Sequence, residues 1–484
     1  MRKLPLLALA VGLLAAPAGA ASKYVPNDPL FPRQWYVTQD RAFDLWGTLP
    51  TTLPAVRVAV IDSGIDSGHP EFAGKIAEEQ SFVGGPIVDR QGHGTFVAGE
   101  IAAAVDNAQG IAGIAFPAEL LIAKVVRRDG TIDPSIEAKA IRWAVDNGAQ
   151  VINLSIGGLR DPFHPARDTR SRQELAAIEY ARSRDVVVVA AVGNGDQAPA
   201  TPWPYASYPA ALPHVLGVGA LAQDGSVPSF SNRDPIYNDL AAPGEGILST
   251  FPRALTAERP GCVDQGYSDC GTSEYRDAEG TSFAAPQVSA AAALLRAVDP
   301  ELTADQVTTL LERTAVDLNA ADGCRRCGPL RDALTGWGRL DIAAALQAAE
   351  SGLVPPADRY EANDDAGSSA YGVFGARRVL HATIDYWDDQ IDVFRVKLRA
   401  RQRIAAVLHG PESTNVNLVL WKPGTKTVEG LTAGLQGRRA TYSAHAGPNQ
   451  RLTYKARRAG WYYVEVKIAT PGFGPYSLRL TKSS

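Results

Sequence analysis

The chain has 484 residues, of which 45% are apolar, so it is too long for one hydrophobic core and we expect at least two domains. Its formal charge of −4 gives no electrostatic case for a nucleic-acid partner, and we predict none. Beyond the N-terminus, no apolar stretch approaches the roughly 18 residues of a membrane-spanning helix, so we predict no stable membrane anchor. We also expect a monomer.

Residues 1–20 have the features of a signal peptide. The charged start Met1-Arg2-Lys3 precedes an apolar run over 4–16, and small residues fill 18–20. A disordered N-terminal tail is the alternative. The signal peptide predicts a secreted protein, in the extracellular space or the periplasm.

The four cysteines suit the oxidising compartment that secretion implies. They allow three pairings, and we expect the two local ones, Cys262 with Cys270 and Cys324 with Cys327. A zinc site made of all four cysteines is the alternative, although the chain has one CxxC motif where a zinc ribbon has two.

From residue 56 onward the sequence alternates between strand and helix patterns. Runs rich in β-branched residues predict strands at 56–61, 120–126, 151–155, 186–192 and 215–220. Helices are predicted at 93–104, 133–147, 172–183, 303–314 and 341–349, and an alanine-rich one ends near 297. Asp133 is a predicted N-cap, and Thr303 with Gln306 a predicted capping box. The alternation predicts an α/β domain whose mostly parallel sheet is covered by helices on both faces.

The segment at 351–357 has the glycine and proline content of a linker. Beyond it the period of the pattern changes, because Phe394, Val396 and Leu398 alternate with Arg395 and Lys397. Alternation with a period of two predicts a small antiparallel all-β sandwich over 358–484.

Three motifs supply an acid, a base and a nucleophile. Asp62 directly follows the first predicted strand, His93 stands between two glycines, and Ser282 follows Gly280 at the start of the alanine-rich helix. Singly, a strand-end cap, a solvated histidine and a helix-capping serine would explain these residues. Together they predict a serine peptidase in which Ser282 attacks the carbonyl carbon, His93 transfers the proton and Asp62 orients His93.

These motifs and their neighbours resemble those of the subtilisin-like serine proteases (peptidase family S8), closest to the thermitase-like group. The resemblance covers residues 24–345, and its main stretches are VAVIDSGID at 58–66, GHGT at 92–95, VINLSIGG at 151–158, AAVGN at 190–194 and GTSFAAP at 280–286. The chain order Asp, His, Ser is that of subtilisin. The resemblance implies a subtilisin-like three-layer α/β fold and serine endopeptidase activity.

The same resemblance assigns roles beyond these three residues. Asn194 would donate its side-chain N–H to the oxyanion, together with the backbone N–H of Ser282. An edge segment would pair with extended substrate, and a pocket with a small neutral floor would take uncharged side chains. The substrate-binding residues that it implies are Ser155, Ile156, Gly157, Ala190, Ala191 and Ser207.

A structural Ca²⁺ site is also implied by the resemblance. Such a site uses carboxylate, amide and backbone oxygens, as a hard cation requires. Its predicted ligands are Asp28, Glu71, Val105, Asn107, Gln109 and Ile111. Glu71 stands where the family usually has aspartate, and a solvated surface loop is the alternative.

The C-terminal stretch resembles the bacterial pre-peptidase C-terminal domain. The likeness rests on DRYEAND at 358–364, DQIDVFRV at 389–396 and AGWYYV at 459–464. We therefore predict a signal peptide at 1–20, a peptidase domain at 21–350, a linker at 351–357 and a C-terminal β-sandwich at 358–484.

The sequence as a whole predicts a secreted serine endopeptidase that cuts proteins or peptides through an acyl-enzyme. A catalytically silent binding protein of the same fold is one alternative, which the presence of Asp62, His93, Asn194 and Ser282 disfavours. A maturation protease for one partner is the other.

Overall fold

A computed structural model describes residues 24–50, 52–195, 198–258, 274–353, 358–360, 363–367, 369–387, 389–428 and 433–483. The predicted signal peptide, Cys262 with Cys270, and most of the predicted linker lie outside these residues.

The part of the chain before residue 351 alternates strands and helices. Its strands are β1 (Val56–Asp62), β2 (Ile76–Ser81), β3 (Ala118–Lys124), β4 (Val151–Leu154), β5 (Val187–Ala191), β6 (Leu216–Leu221), β7 (Leu240–Pro243), β8 (Ile247–Thr250) and β9 (Tyr275–Ala278). Its helices are α1 (Trp35–Gln39), α2 (His93–Ala102), α3 (Pro134–Asp146), α4 (Arg172–Ser183), α5 (Arg253–Glu258), α6 (Thr281–Val298), α7 (Ala304–Thr314) and α8 (Ile342–Glu350).

Seven of these strands form one sheet in the order β2-β3-β1-β4-β5-β6-β7, and every neighbouring pair is parallel. Successive residues of β1 point to opposite faces, so that Val58 and Val60 join one hydrophobic core while Ala59 and Ile61 join another. Helices α2 and α6 pack into the first core, and α3 and α4 into the second. The three-layer α/β fold predicted from the alternation is therefore confirmed.

Helix starts follow the predicted capping chemistry. The Asp133 side chain accepts the N–H of Ser135 at the start of α3. At the start of α7, Thr303 and Gln306 form the predicted capping box, in which each side chain accepts the other residue's backbone N–H. Both predictions are confirmed.

The C-terminal part is rich in strands. They are β10 (Tyr371–Val373), β11 (Arg377–Asp385), β12 (Ile391–Leu398), β13 (Arg403–His409), β14 (Val416–Trp421), β15 (Arg439–Ser443), β16 (Asn449–Lys455), β17 (Gly460–Ile468) and β18 (Phe473–Ser483), with a short helix α9 (Ala433–Gln436). Two sheets, β10-β12-β17-β14-β15 and β11-β18-β13-β16, enclose a common apolar core. All their pairs are antiparallel except the edge pair β10 with β12. The predicted all-β sandwich is confirmed, whereas its exact boundaries stay a prediction.

One end of this sandwich packs against the α/β part. Tyr386 lies 5.4 Å from Trp337, measured between ring centroids. The guanidinium of Arg313, on α7, lies 5.1 Å from the ring centre of Trp387 and 4.3 Å from that of Phe473. The contact joins the start of β18 and the end of β11 to α7.

Cys324 and Cys327 form a disulfide, as predicted. This bond consumes two of the thiols that a four-cysteine zinc site would need. Across the described ranges, no helix combines the length and the apolar character that crossing a bilayer requires.

Candidate active site

The fold brings the three predicted reactive residues to one edge of the sheet. Asp62 ends β1, His93 begins α2, and Ser282 lies in the first turn of α6. His93 Nδ1 lies 2.9 Å from each carboxylate oxygen of Asp62. The ring centroids of His93 and Phe283 are 5.4 Å apart, which places the start of α6 beside the imidazole. The candidate base therefore contacts the candidate acid, and the helix turn that carries the candidate nucleophile lies beside the base.

The charge of His93 is controlled by nearby acids. Burial alone would lower the pKa of His93, but the carboxylate of Asp62, together with that of Asp89, raises it above its ordinary value. His93 is thus a stronger base than a free imidazole, which suits a group that must accept a proton from a hydroxyl.

Sequence reasoning missed Asp89, a buried acid that organises the turn before His93. Its carboxylate accepts five hydrogen bonds of 2.8–3.0 Å, from the Ser63 hydroxyl, the Thr95 hydroxyl and the backbone N–H groups of Gln91, Gly92 and Thr95. Its position four residues before His93 was the available signal.

Ser63 connects this network to the acid of the pair. Its hydroxyl accepts the N–H of Gly94 at 2.9 Å, and its own N–H donates to Asp62 Oδ1 at 2.6 Å. The end of β1 and the start of α2 are therefore held in one hydrogen-bonded unit.

Reciprocal hydrogen bonds join Ser282 to the predicted substrate segment. The Ser282 hydroxyl donates to the Ser155 carbonyl at 2.9 Å, and the Ser155 hydroxyl donates to the Ser282 carbonyl at 2.7 Å. Asn153 in β4 donates to the Ser155 hydroxyl at 2.9 Å. Since the hydroxyl of Ser282 can give its proton to only one acceptor, it must leave Ser155 when it transfers the proton to His93.

The amide of Asn194 is oriented by Thr281, another residue that sequence reasoning missed. The side-chain oxygen of Asn194 accepts both the N–H and the hydroxyl of Thr281, at 2.9 and 2.8 Å. Among the described residues, no hydrogen-bond acceptor contacts its NH₂ group. A Cβ on Gly280 would lie 3.1 Å from Asn194 Nδ2, so glycine keeps the space beside that donor open.

A cavity of about 150 Å³ adjoins Ser282 and Asn194. Five of the six predicted substrate-binding residues line it, namely Ser155, Ile156, Gly157, Ala191 and Ser207. The sixth, Ala190, points instead into the core beneath the sheet, because neighbouring residues of β5 face opposite ways. No carboxylate is found among the described residues that line the cavity, which agrees with a preference for uncharged side chains.

Asn232 shapes the floor of this cavity and was not predicted. Its amide donates to the Val192 carbonyl at 2.9 Å and to the Ser207 hydroxyl at 3.3 Å. Gly193 has a φ of +95°, and a Cβ there would come within 2.3 Å of the Ser207 hydroxyl oxygen. Only glycine permits that approach.

Comparison with known proteins agrees with this geometry. The family model Peptidase_S8, described as the subtilase family, matches residues 54–338, more than half of the chain. The chain belongs to the subtilase family. Thermitase of Thermoactinomyces vulgaris is 33% identical over 297 residues, which cover 60% of this chain and 92% of thermitase. Subtilisin E of Bacillus subtilis (strain 168) is 37% identical over 266 residues, or 54% of this chain and 61% of that protein.

Among solved structures, one titled as the crystal structure of a lanthipeptide protease aligns with a TM-score of 0.54 at 25% identity. The alignment covers 67% of this chain and 98% of that one. These relatives make the chain a subtilisin-like serine endopeptidase. Because the family match ends at residue 338, the likeness of the C-terminal sandwich to a pre-peptidase C-terminal domain stays a prediction.

Two buried acids of this subtilase converge on Asn107. The N–H of Asn107 donates to Asp28 Oδ1 at 3.2 Å, and its side chain donates to Glu71 Oε2 at 2.9 Å. No Lys or Arg of the described chain forms an ion pair with either acid. Burial raises the pKa of Glu71 to about 7, since its charge has no cationic partner.

The other predicted calcium ligands lie on the same loop. Ile111 donates its N–H to Glu71 Oε1 at 3.1 Å, and Gln109 donates its N–H to Asn107 Oδ1 at 2.7 Å, while Val105 is half-buried at the start of the loop. The described residues contain no group of three His, Cys, Asp or Glu side chains placed to hold a metal, so a site here must also use amide and backbone oxygens. Two uncompensated buried carboxylates beside such a loop fit a hard divalent cation.

We predict that Asp89→Asn lowers kcat/KM at pH 8 by about tenfold, because the turn before His93 loses its charged acceptor. The substitution also removes a negative charge that raises the pKa of His93. His93 must be neutral to act as a base, so activity falls as pH drops through its pKa, and a lower pKa moves this acid limb to lower pH. The pH–rate profile of Asp89→Asn, with the exposed Asp129→Asn as control, measures the shift. If the acid limb of Asp89→Asn stays at the wild-type pH, the electrostatic role of Asp89 is contradicted.

Proposed function

We propose that the protein is a secreted serine endopeptidase that uses Asp62, His93 and Ser282 as a catalytic triad. The observation that carries the proposal is the pair of 2.9 Å contacts between His93 Nδ1 and the Asp62 carboxylate, at the edge of the sheet where Ser282 lies in the first turn of α6. Serine needs such a base because its hydroxyl is hardly ionised at neutral pH. Secretion rests on the signal-like residues 1–20.

Catalysis would proceed through an acyl-enzyme. Ser282 Oγ attacks the substrate carbonyl carbon while His93 Nε2 accepts the hydroxyl proton, and Asp62 holds the opposite ring N–H and stabilises the imidazolium. The carbonyl oxygen becomes an oxyanion, which Asn194 Nδ2 and the backbone N–H of Ser282 would bind. His93 then gives its proton to the leaving amine. Water attacks the acyl-enzyme by the same steps and restores Ser282.

Substrate would bind as an extended strand along Ser155, Ile156 and Gly157, with backbone hydrogen bonds that do not depend on sequence. One uncharged side chain would enter the cavity between Ala191 and Ser207. The reciprocal hydrogen bonds between Ser155 and Ser282 fix the position of the strand-binding segment relative to the nucleophile. This arrangement suits unfolded proteins and flexible peptides.

An aryl sulfonyl fluoride tests the proposed triad. We expect it to modify Ser282 with a stoichiometry of about one per molecule, because only an activated serine attacks it rapidly. Casein hydrolysis should fall in step with labelling, and peptide mass spectrometry locates the modified residue. Folded protein that cleaves casein but carries the label elsewhere, or none, would contradict the triad.

We further propose that Asp28, Glu71 and Asn107, with backbone oxygens of the 105–111 loop, hold a structural Ca²⁺. The ion would neutralise the two buried carboxylates. We expect EDTA to lower the Tm of the wild-type protein by about 5 °C or more, since a ligand that binds only the folded state stabilises it.

The matched variant is Glu71→Gln, which keeps the shape of the side chain and removes its charge. Its Tm should respond to neither calcium nor EDTA, whereas the exposed Glu301→Gln should respond as the wild type does. A wild-type Tm that calcium and EDTA leave unchanged would eliminate the calcium proposal without affecting the proposed triad.

A further inference from the structure

The charge of the chain is divided unevenly between its two parts. Residues 358–484 contain 19 Lys and Arg against 11 Asp and Glu, a formal charge of +8, whereas the whole chain carries −4. Residues 1–357 therefore carry −12. Such asymmetry of sign between two parts of a chain indicates a surface that meets an oppositely charged partner.

Within the C-terminal sandwich, acids collect at the end that packs against the α/β part. Five of them line the groove between the two parts: Asp358, Asp364, Asp365, Asp385 and Asp389. This groove adjoins Trp387 and Phe473, which contact Arg313. The acidic end is thus turned toward the rest of the molecule.

Cations collect at the opposite end of the same strands. Strand β12 leads away from the groove for 8 residues, or about 25 Å, to a turn that is hydrogen-bonded to the turn between β16 and β17. Arg401 donates its N–H to the Ala456 carbonyl at 2.7 Å, and Ala456 donates its N–H to the Gln402 carbonyl at 2.8 Å. The two turns and the strand ends beside them carry six exposed cations, which we call the basic end: Arg399, Arg401, Arg403, Lys455, Arg457 and Arg458.

The outer face of the four-stranded sheet extends this surface. Arg479 of β18 lies opposite Val379 on one side and Val407 on the other, and Arg451 lies opposite Val407 from β16. Arg377 stands on β11 at the same face. No Asp or Glu of β11, β13, β16 or β18 is exposed, because their only acid, Asp385, is buried at the end near the groove.

These cations have no acidic partners within the described chain. None of the six cations of the basic end, nor Arg377, Arg451 or Arg479, takes part in an ion pair there. They lie on two hydrogen-bonded turns and on paired strands of one sheet, where neighbouring like charges repel. An anionic ligand would remove that repulsion and release the bound counterions.

We propose that the basic end and the adjoining sheet face bind an anionic polysaccharide that carries sulfate or carboxylate groups. Guanidinium groups pair with such anions in a two-pronged geometry. Exposed Thr453 lies between Arg451 and Lys455 on β16, and the exposed pair His409 and Asn449 lies beyond Arg451 on the same face. These side chains offer hydrogen bonds to sugar hydroxyls. The binding would hold the peptidase on an anionic matrix and leave its active edge free.

Two other anionic partners fit the surface less well. Single-stranded nucleic acid is bound through exposed aromatic rings that stack on successive bases, but the outward positions of the four-stranded sheet are Thr, Ser, Asn, His, Val and Ala beside its arginines. The rings near the basic end, Phe374 and Trp461, lie at the other sheet and pack against each other edge to face, with centroids 6.1 Å apart. Arg395 and Lys397 lie over the face of Trp461. A lipid surface is bound through apolar side chains that insert between the head groups, but the two turns offer only alanines among their arginines.

The test uses the full chain and immobilised heparin as the probe. The turn variant combines Arg403→Gln, Lys455→Gln, Arg457→Gln and Arg458→Gln. The control removes the same charge from exposed positions of the α/β part, with Lys139→Gln, Arg172→Gln, Arg325→Gln and Arg326→Gln. We expect the turn variant to bind heparin at least about tenfold more weakly and with a smaller salt dependence, while the control stays within about twofold of the wild type.

Three outcomes would overturn the proposal: no heparin binding by the wild type at 0.15 M salt, an equal loss in both variants, or equally tight binding to single-stranded DNA or phosphatidylserine vesicles.

Casein hydrolysis and Tm check that each variant is folded. Should the turn variant be unfolded, the triple variant Arg377→Gln, Arg451→Gln, Arg479→Gln on the sheet face takes its place with the same expected loss. Heparin binding does not depend on the proposed triad, so the two hypotheses fail separately.

Discussion

Ser282→Ala is expected to lower kcat for casein or a chromogenic peptide by about 10⁶-fold, the size of loss that the corresponding change causes in the relative subtilisin. The substitution removes the atom that attacks the carbonyl carbon and leaves the Asn194 amide and the cavity in place. KM should therefore change little. Single-turnover and steady-state kinetics on the purified protein measure both constants.

The matched control for this variant is Ser183→Ala, an exposed serine at the end of α4 whose hydroxyl donates to the Tyr180 carbonyl. It should retain wild-type kcat. A Ser282→Ala variant that keeps its fold and more than about a hundredth of the activity would mean that another group is the nucleophile.

Asp62→Asn is expected to lower kcat by about 10⁴-fold. The carboxylate contacts His93 Nδ1 through both oxygens and so favours the tautomer whose Nε2 is free to accept the Ser282 proton. An asparagine amide can donate to Nδ1 and favour the opposite tautomer. The lost charge also lowers the pKa of His93, so the acid limb of the remaining activity should move to lower pH.

The pH–rate profile and kcat of Asp62→Asn are compared with those of Asp66→Asn, four residues further on, whose carboxylate pairs with Arg253 outside the catalytic pair. Asp66→Asn should keep the wild-type limb. A loss in kcat of less than tenfold in Asp62→Asn would mean that the charge of Asp89 is enough to stabilise the protonated form of His93.

Strand and helix periods were enough to predict most of the sheet, since β1, β3, β4, β5 and β6 are buried runs with strong apolar patterns. Strand β2 was missed because it is an edge strand, IAEEQS, with a largely exposed and polar sequence. Strand β7, only four residues long, gives no periodic signal. Such strands are defined by the neighbour with which they pair.

The residues of the candidate site also fall into those that the sequence predicts and those that it misses. Asp62, His93, Asn194 and Ser282 stand in short motifs whose neighbours identify them, whereas Asp89 and Thr281 matter only because folding brings them to Ser63 and Asn194. Ala190 and Ala191 differ by one residue in a strand, so side-chain direction alone decides which of them reaches the cavity.

The burial of helix α6 determines where the protease can cut copies of itself. A concentrated protease is exposed to its own copies, and cleavage requires the target chain to lie extended along the Ser155 segment of another molecule. Of the 18 residues of α6, 16 are buried, and the helix packs against the central strands of the sheet. A copy could not draw this segment into extended form without unfolding the whole α/β part. Autolysis must therefore begin in surface loops, and the element that carries the nucleophile is among the last to be cut.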